Sequence, residues 1–368
     1  MKPAIVRGWD LPKEDYVKSH ESGGLTKLVI DLSNVCNLSC SGCFTKRVDG
    51  GWNGKSKKRL PNEMSYEEQS ELLEEAAELG VRTVDIVGAG EPTLDPNFRD
   101  VVDRINELGM YAVVFTHGVS RALEHPQEWA GRDVSFFVKL WSRNPELQDR
   151  YVDGSIPEYA VKRDKALEGL IRAGLSTGSE ISLDGIDYQT TRLGADILVM
   201  RSNYDEVVGL FRFCRQNNIM PEIKTYIPEG PTRFDQEANL RVYDAGKLAE
   251  LKKDEVTPEE FLRLRQRIIE TDKEEHGIND MRTIYPQGSE CTQSIGALYV
   301  TITGDIRSCV GTHLSYGKYR PNEGMLRKVL QVRQEQVGFG CVPRVDDANR
   351  RGLPISELLV QIYTDGMK

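Results

Sequence analysis

Apolar and polar positions change period several times along this chain. Thr26-Lys27-Leu28-Val29-Ile30-Asp31-Leu32-Ser33 alternates and predicts a strand. From Ser65 the period becomes helical through Leu79: Ser65 is the N-cap, Glu68 completes a capping box and Gly80 is the stop. A strand over Val81–Val87, a helix over Asn97–Leu108 ended by Gly109, a strand over Met110–Thr116, a helix around 121–130 and a strand over Val134–Trp141 follow. A helix over about 158–173, a strand at Asp196–Met200, a helix over 204–217 and a strand at Ile219–Ile227 complete the series. Six strand–helix steps predict a parallel sheet covered by helices, an open or closed α/β barrel. Its site belongs on the loops after the carboxyl ends of the strands.

Other stretches interrupt this rhythm. Residues 1–25 are polar with scattered aromatics and read as an extension or lid, and the Gly-, Lys- and Asn-rich piece 49–62 as turns. The stretch 175–195 follows neither period and is read as an insertion or hairpin near the mouth. After Pro231 the chain becomes charged, and Thr257-Pro258-Glu259-Glu260 opens a helix to about His276, so 231–280 is a linker carrying that helix. The barrel then spans 26–230, a further small unit 281–345, and a tail or helix 346–368.

With 368 residues, 39% of them apolar, the chain can bury a large core and build two or three units. A net charge of −9 gives no basic footprint, and the run Lys55-Ser56-Lys57-Lys58-Arg59 reads as a solvated loop, so no nucleic-acid partner is expected. Nothing in the chain approaches the roughly 18 consecutive apolar residues of a membrane span, nor does it open on a signal peptide. A cytoplasmic protein without a membrane partner is expected. The odd cysteine count of seven, clustered rather than spread, suits a compartment where thiols serve metals.

Three of those cysteines fall within Cys36-Asn37-Leu38-Ser39-Cys40-Ser41-Gly42-Cys43, just after the first strand. Thiolates so close can hold one 4Fe–4S cube, with the fourth iron left open because the next cysteine is Cys214. Zinc remains the alternative, but it takes four ligands, usually as paired hooks, and only one x2 pair is present. C-x3-C-x2-C after a first strand resembles the radical S-adenosylmethionine (SAM) superfamily. The resemblance implies a partial (β/α)6 TIM-type barrel in which the open iron binds SAM. It also implies reductive cleavage of SAM to a 5′-deoxyadenosyl radical, fed by a reductant such as flavodoxin or ferredoxin. Members often carry an aromatic residue before the third cysteine, where it touches adenine; here Gly42 stands there and Phe44 just after.

At the end of the second strand, Gly88-Ala89-Gly90-Glu91-Pro92 is similar to the family's Gly-Gly-Glu-Pro motif for the amino group of SAM, matched at Ala89, Gly90, Glu91 and Pro92. By the same resemblance Thr116, Lys139, Ser142 and Asn203 are candidates for the methionine and ribose ends of SAM. His117 reads equally as a loop histidine or a substrate contact, and Asp184, Asp187 and Arg192, within the stretch 175–195, could reach substrate, with none singled out. Cys214 sits in a helical apolar pattern as core filler, or as a thiol that returns a hydrogen atom to a substrate radical.

Cys291, separated from Gly304 by twelve residues, and Cys309, separated from it by four, bracket a hairpin that resembles the SPASM and Twitch extensions of the family. With Cys341 as third ligand they imply one auxiliary 4Fe–4S cluster, the Twitch form, in a small C-terminal domain. Small Twitch members often oxidise or invert a carbon of a carbohydrate or aminocyclitol. The expected function is therefore hydrogen abstraction from a small polyol-like molecule, as a dehydrogenation or epimerisation. A peptide-modifying maturase and a non-catalytic iron–sulfur protein are the alternatives. A dehydrogenation also requires a base, which the sequence does not assign.

Overall fold

The computed structural model describes residues 2–43, 59–152, 156–183, 185–226, 245–278, 292–312 and 315–333. Among the described residues the strands are β1 Ala4–Val6, β2 Lys27–Asp31, β3 Thr83–Gly88, β4 Tyr111–Thr116, β5 Val134–Lys139, β6 Glu180–Leu183, β7 Ile186–Thr191, β8 Leu193–Leu198, β9 Met220–Lys224, β10 Ala297–Val300, β11 Asp305–Arg307 and β12 Ser315–Lys318. Nine of them form one sheet in the order β12-β11-β10-β2-β3-β4-β5-β8-β9, parallel from β10 to β9. Six of these parallel strands are the predicted barrel steps, and the mixed α/β fold with its mostly parallel sheet is that of a partial barrel. No helix among the described residues is long and apolar enough to cross a membrane.

Alternation along each strand separates two environments. Leu28 and Ile30 of β2, Val84 and Ile86 of β3, Val114 of β4 and Phe136 and Val138 of β5 point outward into the main core. There they meet Leu72, Leu73 and Ala76 of helix Tyr66–Glu78 and Val101, Val102 and Ile105 of helix Phe98–Glu107. Ser65 and Glu68 form the predicted capping box. The alternate residues, among them Val29, Asp85, Phe115, Lys139, Asp196 and Glu222, face the lumen.

Several expectations change. The segment around 121–130 holds two short 3-10 turns, Arg121–Leu123 and Pro126–Trp129, instead of one helix. Pro126 has no N–H to donate and bars His125 from the α region. The described part of the segment read as an extension or lid, residues 2–25, lies at the amino end: β1 pairs in parallel with β7, and Trp9 packs edge-on against Phe115 and Phe137 from the amino end of the lumen. There Lys27 Nζ donates to the Trp9 carbonyl at 2.7 Å. The stretch 175–195 does contain a hairpin, β6–β7, but it feeds into the start of β8 and so lies at the amino end of the barrel. Within it Asp187 pairs with Lys2, and Arg192 donates to the carbonyls of Trp129, Ala130 and Arg132. Asp184 lies outside the described residues.

The described part of the segment read as a linker, residues 245–278, joins the helical layer. Helix Pro258–Thr271, capped by Thr257 and Glu260, buries Phe261, Leu264 and Ile268 against Leu210, Phe211 and Cys214 of helix Val207–Gln216. A buried bidentate ion pair, Arg215 to Asp272 at 3.0 and 2.7 Å, locks the two together. Likewise the described part of 281–345 is not detached: β10 extends the barrel sheet in parallel register with β2, Lys27 opposite Ala297 and Ile30 opposite Val300. The expected hairpin then turns at Gly304, whose φ of +80° suits glycine, into antiparallel β11.

Candidate active site at the carboxyl ends of the strands

The chain leaves β2 at Asp31 and enters the cysteine loop at once, where a series of hydrogen bonds fixes it. The Leu32 amide donates to the Gly88 carbonyl at 2.9 Å, Gly90 donates to Ser33 at 2.9 Å, and Glu91 donates to Val35 at 2.7 Å. Gln69 Nε2 donates to the Leu32 carbonyl at 3.0 Å, and the Asn34 amide to Glu63 Oε1 at 3.0 Å. Thus the Gly88–Pro92 turn lies directly on the cysteine loop. A Cβ at Gly90 would fall 2.0 Å from the Val35 carbonyl oxygen. Ala89 is buried at a backbone angle open to any residue, which is why alanine fits where the family motif has glycine.

Glu91 is buried and its two oxygens are fully used. Oε1 accepts from the Thr93 amide (3.2 Å), the Thr93 hydroxyl (2.6 Å) and the Thr116 hydroxyl (2.6 Å), and Oε2 from the His117 amide (2.8 Å). Pro92 begins the turn Pro92–Leu94 that keeps Thr93 under this carboxylate. Both ring nitrogens of His117 are engaged. Nδ1 accepts from the Val119 amide at 3.0 Å, so Nε2 carries the proton and donates to Asn37 Oδ1 at 2.8 Å. The ring therefore holds the cysteine loop, between Cys36 and Leu38. Burial pushes the His117 pKa below its ordinary 6.5, with Glu91 opposing. A ring kept neutral in the folded chain but protonated in the unfolded chain contributes stability that is full above pH 6.5 and is lost as the pH falls from there through the depressed folded value. Urea unfolding above and below pH 6.5 is expected to show this loss, and His117→Gln to flatten it.

Cys40 is buried and Cys36 and Cys43 half-buried. They pack in one cluster with Leu38, Trp141, Tyr151, Tyr159, Leu198 and Tyr226. Zinc would need every sulfur about 2.3 Å from one point, whereas a cube hands a different iron to each thiolate. Three thiolates in one packed loop are the donor set such a cube takes. Lys139 Nζ stands 3.5 Å from Cys40 Sγ and 4.5 Å from the centre of the Trp141 ring. Burial works against its charge, but Cys40, Tyr159, Asp196 and Cys43 outweigh that and hold the ammonium protonated.

At the position before the third cysteine the aromatic surface comes from another strand. A Cβ on Gly42 would lie 2.6 Å from Tyr226 Cε1, so the ring of Tyr226, just beyond β9, occupies the space a side chain there would take. Gly42→Phe is expected to abolish iron incorporation, and Gly42→Phe with Tyr226→Gly to restore most of it, read as iron per chain after anaerobic reconstitution.

The remaining candidates are placed as follows. Ser142 Oγ donates to Glu206, and Asn203 Nδ2 donates to the Trp141 and Leu198 carbonyls while its Oδ1 accepts from the Met200 amide. Both brace the rim of the site. Cys214 is fully buried among helix and sheet residues of the main core, in a different cluster from the three loop cysteines, and burial pushes its thiol up to about 12. Cys309 follows β11, so it lies towards the end of the sheet opposite the cysteine loop. Phe44, Cys291 and Cys341 lie outside the described residues. The sequence reading missed Tyr226, Asp196, Glu222 and Lys224; the alternation Met220, Glu222, Lys224 along β9 was the available signal.

The model of the Radical SAM superfamily matches residues 30–239. Among relatives, the S-adenosylmethionine-dependent nucleotide dehydratase of Flammeovirga pacifica is 35% identical over 87 residues, 24% of this chain and 28% of that protein. The PqqA peptide cyclase of Streptomyces rochei is 30% identical over 112 residues, 30% of this chain and 28% of that protein. The matched stretches thus span under a third of these relatives' own lengths. The crystal structure of Streptococcus suis SuiB bound to its precursor peptide SuiA aligns with a TM-score of 0.57 at 16% identity, over 86% of this chain and 68% of that one. That likeness is one of fold.

Proposed function

The chain belongs to the radical SAM superfamily, and from that premise we propose that it is a radical SAM enzyme acting on a peptide. The family's cofactors are a 4Fe–4S cluster and SAM, and Cys36, Cys40 and Cys43 are the residues to hold the cluster. When bound, the cluster supplies the electron that cleaves SAM to methionine and a 5′-deoxyadenosyl radical, which removes a hydrogen atom from the substrate. Every other task falls to the chain. Lys139 would hold the carboxylate end of SAM, the Ala89–Gly90 backbone braced by Glu91 would receive its amino group, and Tyr226 would lie beside the adenine. Trp141, Tyr151 and Tyr159 exclude water. Cys309, with Cys291 and Cys341, is the candidate set for an auxiliary cluster, and flavodoxin or ferredoxin the candidate reductant.

One observation favours a peptide over a nucleotide. Among the described residues, the lysines on the lumen faces of the strands already have partners: Lys27 has Asp85, Lys139 stands beside Cys40, and Lys224 has Asp196 and Glu222. No spare cation is left among these lysines for a triphosphate. The half-buried Phe115 and Val87 add apolar wall, which suits an amino-acid side chain better than the polyol expected from sequence. The name of the peptide cyclase relative points the same way.

Two uniformly deuterated pools, a protein digest and a monosaccharide mixture, test this with reconstituted enzyme, SAM and reductant. Deuterium is expected in 5′-deoxyadenosine from the digest. Transfer from the monosaccharides alone would replace the peptide reading with the carbohydrate one.

A further inference from the structure

The lumen faces of β8 and β9 carry three ionisable side chains outside the cofactor site. The register sets Lys139 of β5 opposite Asp196 of β8, and Asp196 opposite Glu222 of β9. Lys224 follows two residues later on the same face. Its Nζ lies 3.0 Å from Asp196 Oδ1 and 3.0 Å from Glu222 Oε2, and 5.1 Å from the centre of the Phe115 ring. Two carboxylates therefore share one ammonium. Burial pushes the Glu222 carboxyl up to about 7, Lys224 opposing and Asp196 adding to the rise.

Exposure divides the three. The Glu222 side chain is 3% exposed, whereas those of Asp196 and Lys224 each keep 15%, although Ile197 and Ile223 beside them are sealed. Asp196 and Lys224 thus present their outer sides to the open part of the lumen, with Glu222 behind. An ammonium has three N–H groups and a carboxylate about four acceptor sites, so the pair keeps one donor and several acceptor positions to offer side by side. A ligand that fits must accept and donate through neighbouring atoms. An anionic group fits badly, because it would face Asp196 and compete with two carboxylates for Lys224.

We propose that Asp196 and Lys224 form the substrate anchor and clasp a backbone amide, Lys224 donating to its carbonyl and Asp196 accepting from its N–H. Phe115 then lies against the side chain of the clasped residue, and Glu222 keeps Lys224 in place. The inference rests on the peptide reading above and deepens it.

The test reads the fraction of 5′-deoxyadenosine that carries deuterium, with the deuterated protein digest and monosaccharide mixture as probes. Hydrogen bonds to charged groups are worth about tenfold or more each, so Asp196→Asn and Lys224→Met are each expected to lower the fraction from the digest at least about tenfold. Lys224→Arg, which keeps the donor, is expected to hold it within about threefold. If Lys224→Met loses iron, Lys224→Gln replaces it with the same expected fall. An unchanged fraction overturns the proposal, and so does a fall in total 5′-deoxyadenosine at constant fraction, which would place the pair on the SAM side. Deuterium arriving only from the monosaccharides defeats the peptide reading and the amide with it. Transfer from the digest that survives in both variants defeats the anchor alone.

Discussion

With Cys36, Cys40 and Cys43 all changed to alanine, the protein is expected to lose about four irons per chain and to form no 5′-deoxyadenosine. The three sulfurs share one side-chain cluster at the carboxyl ends of the strands, and Lys139 stands over one of them. Removing them takes away the whole donor set while leaving the main core untouched, because Leu28, Ile30 and their helix partners lie on the other face of the sheet. The thermal unfolding of the iron-free proteins should therefore be nearly the same. Cys309→Ala serves as the contrast: it lies towards the far end of the lumen and is expected to leave SAM cleavage in place. A variant without the three loop cysteines that still cleaves SAM would show that this loop is not the site.

Gly90→Ala is expected to be almost as damaging, through the backbone alone. A Cβ there meets the carbonyl oxygen of Val35 at 2.0 Å and its carbon at 2.6 Å, both backbone atoms of the residue before Cys36. Neither can move without shifting the Gly90 to Ser33 and Glu91 to Val35 hydrogen bonds that tie the turn to the loop. Overpacking of this kind costs about 1–3 kcal/mol, and here it falls where cysteine placement is decided. SAM affinity, measured by equilibrium dialysis on reconstituted protein, is expected to fall at least about tenfold, in proportion to that cost. Ala89→Gly, one residue earlier, should change affinity by less than about threefold and destabilise the chain by about 0.5–1 kcal/mol, the entropy of an added glycine.

Local chemistry made much of this architecture readable in the sequence. The capping boxes at Ser65 and Thr257 announce their helices by side-chain bonds spanning three residues, and both are present. The cysteine loop announces itself by spacing, and the glycine turn by its position after the next strand. What escaped depends on partners distant in sequence. The three-residue β1 is a strand only because β7 pairs with it, and β10 joins the barrel only because β2 offers a free edge. Neither relation leaves a periodic mark. Glu222 and Lys224 drew no reading from the sequence, since alternation reports two faces without saying which is the lumen. Gly42 looked like a departure from the family pattern until Tyr226, far along the chain, was seen to fill its space.

The most direct measurement of the central claim is the electron paramagnetic resonance spectrum of the reduced, anaerobically reconstituted protein with and without SAM. The cysteine loop has three thiolates for four irons, so SAM should bind the open iron and change the cluster signal, with 5′-deoxyadenosine formed on standing. A four-iron signal that SAM leaves unchanged, with no 5′-deoxyadenosine, would contradict it.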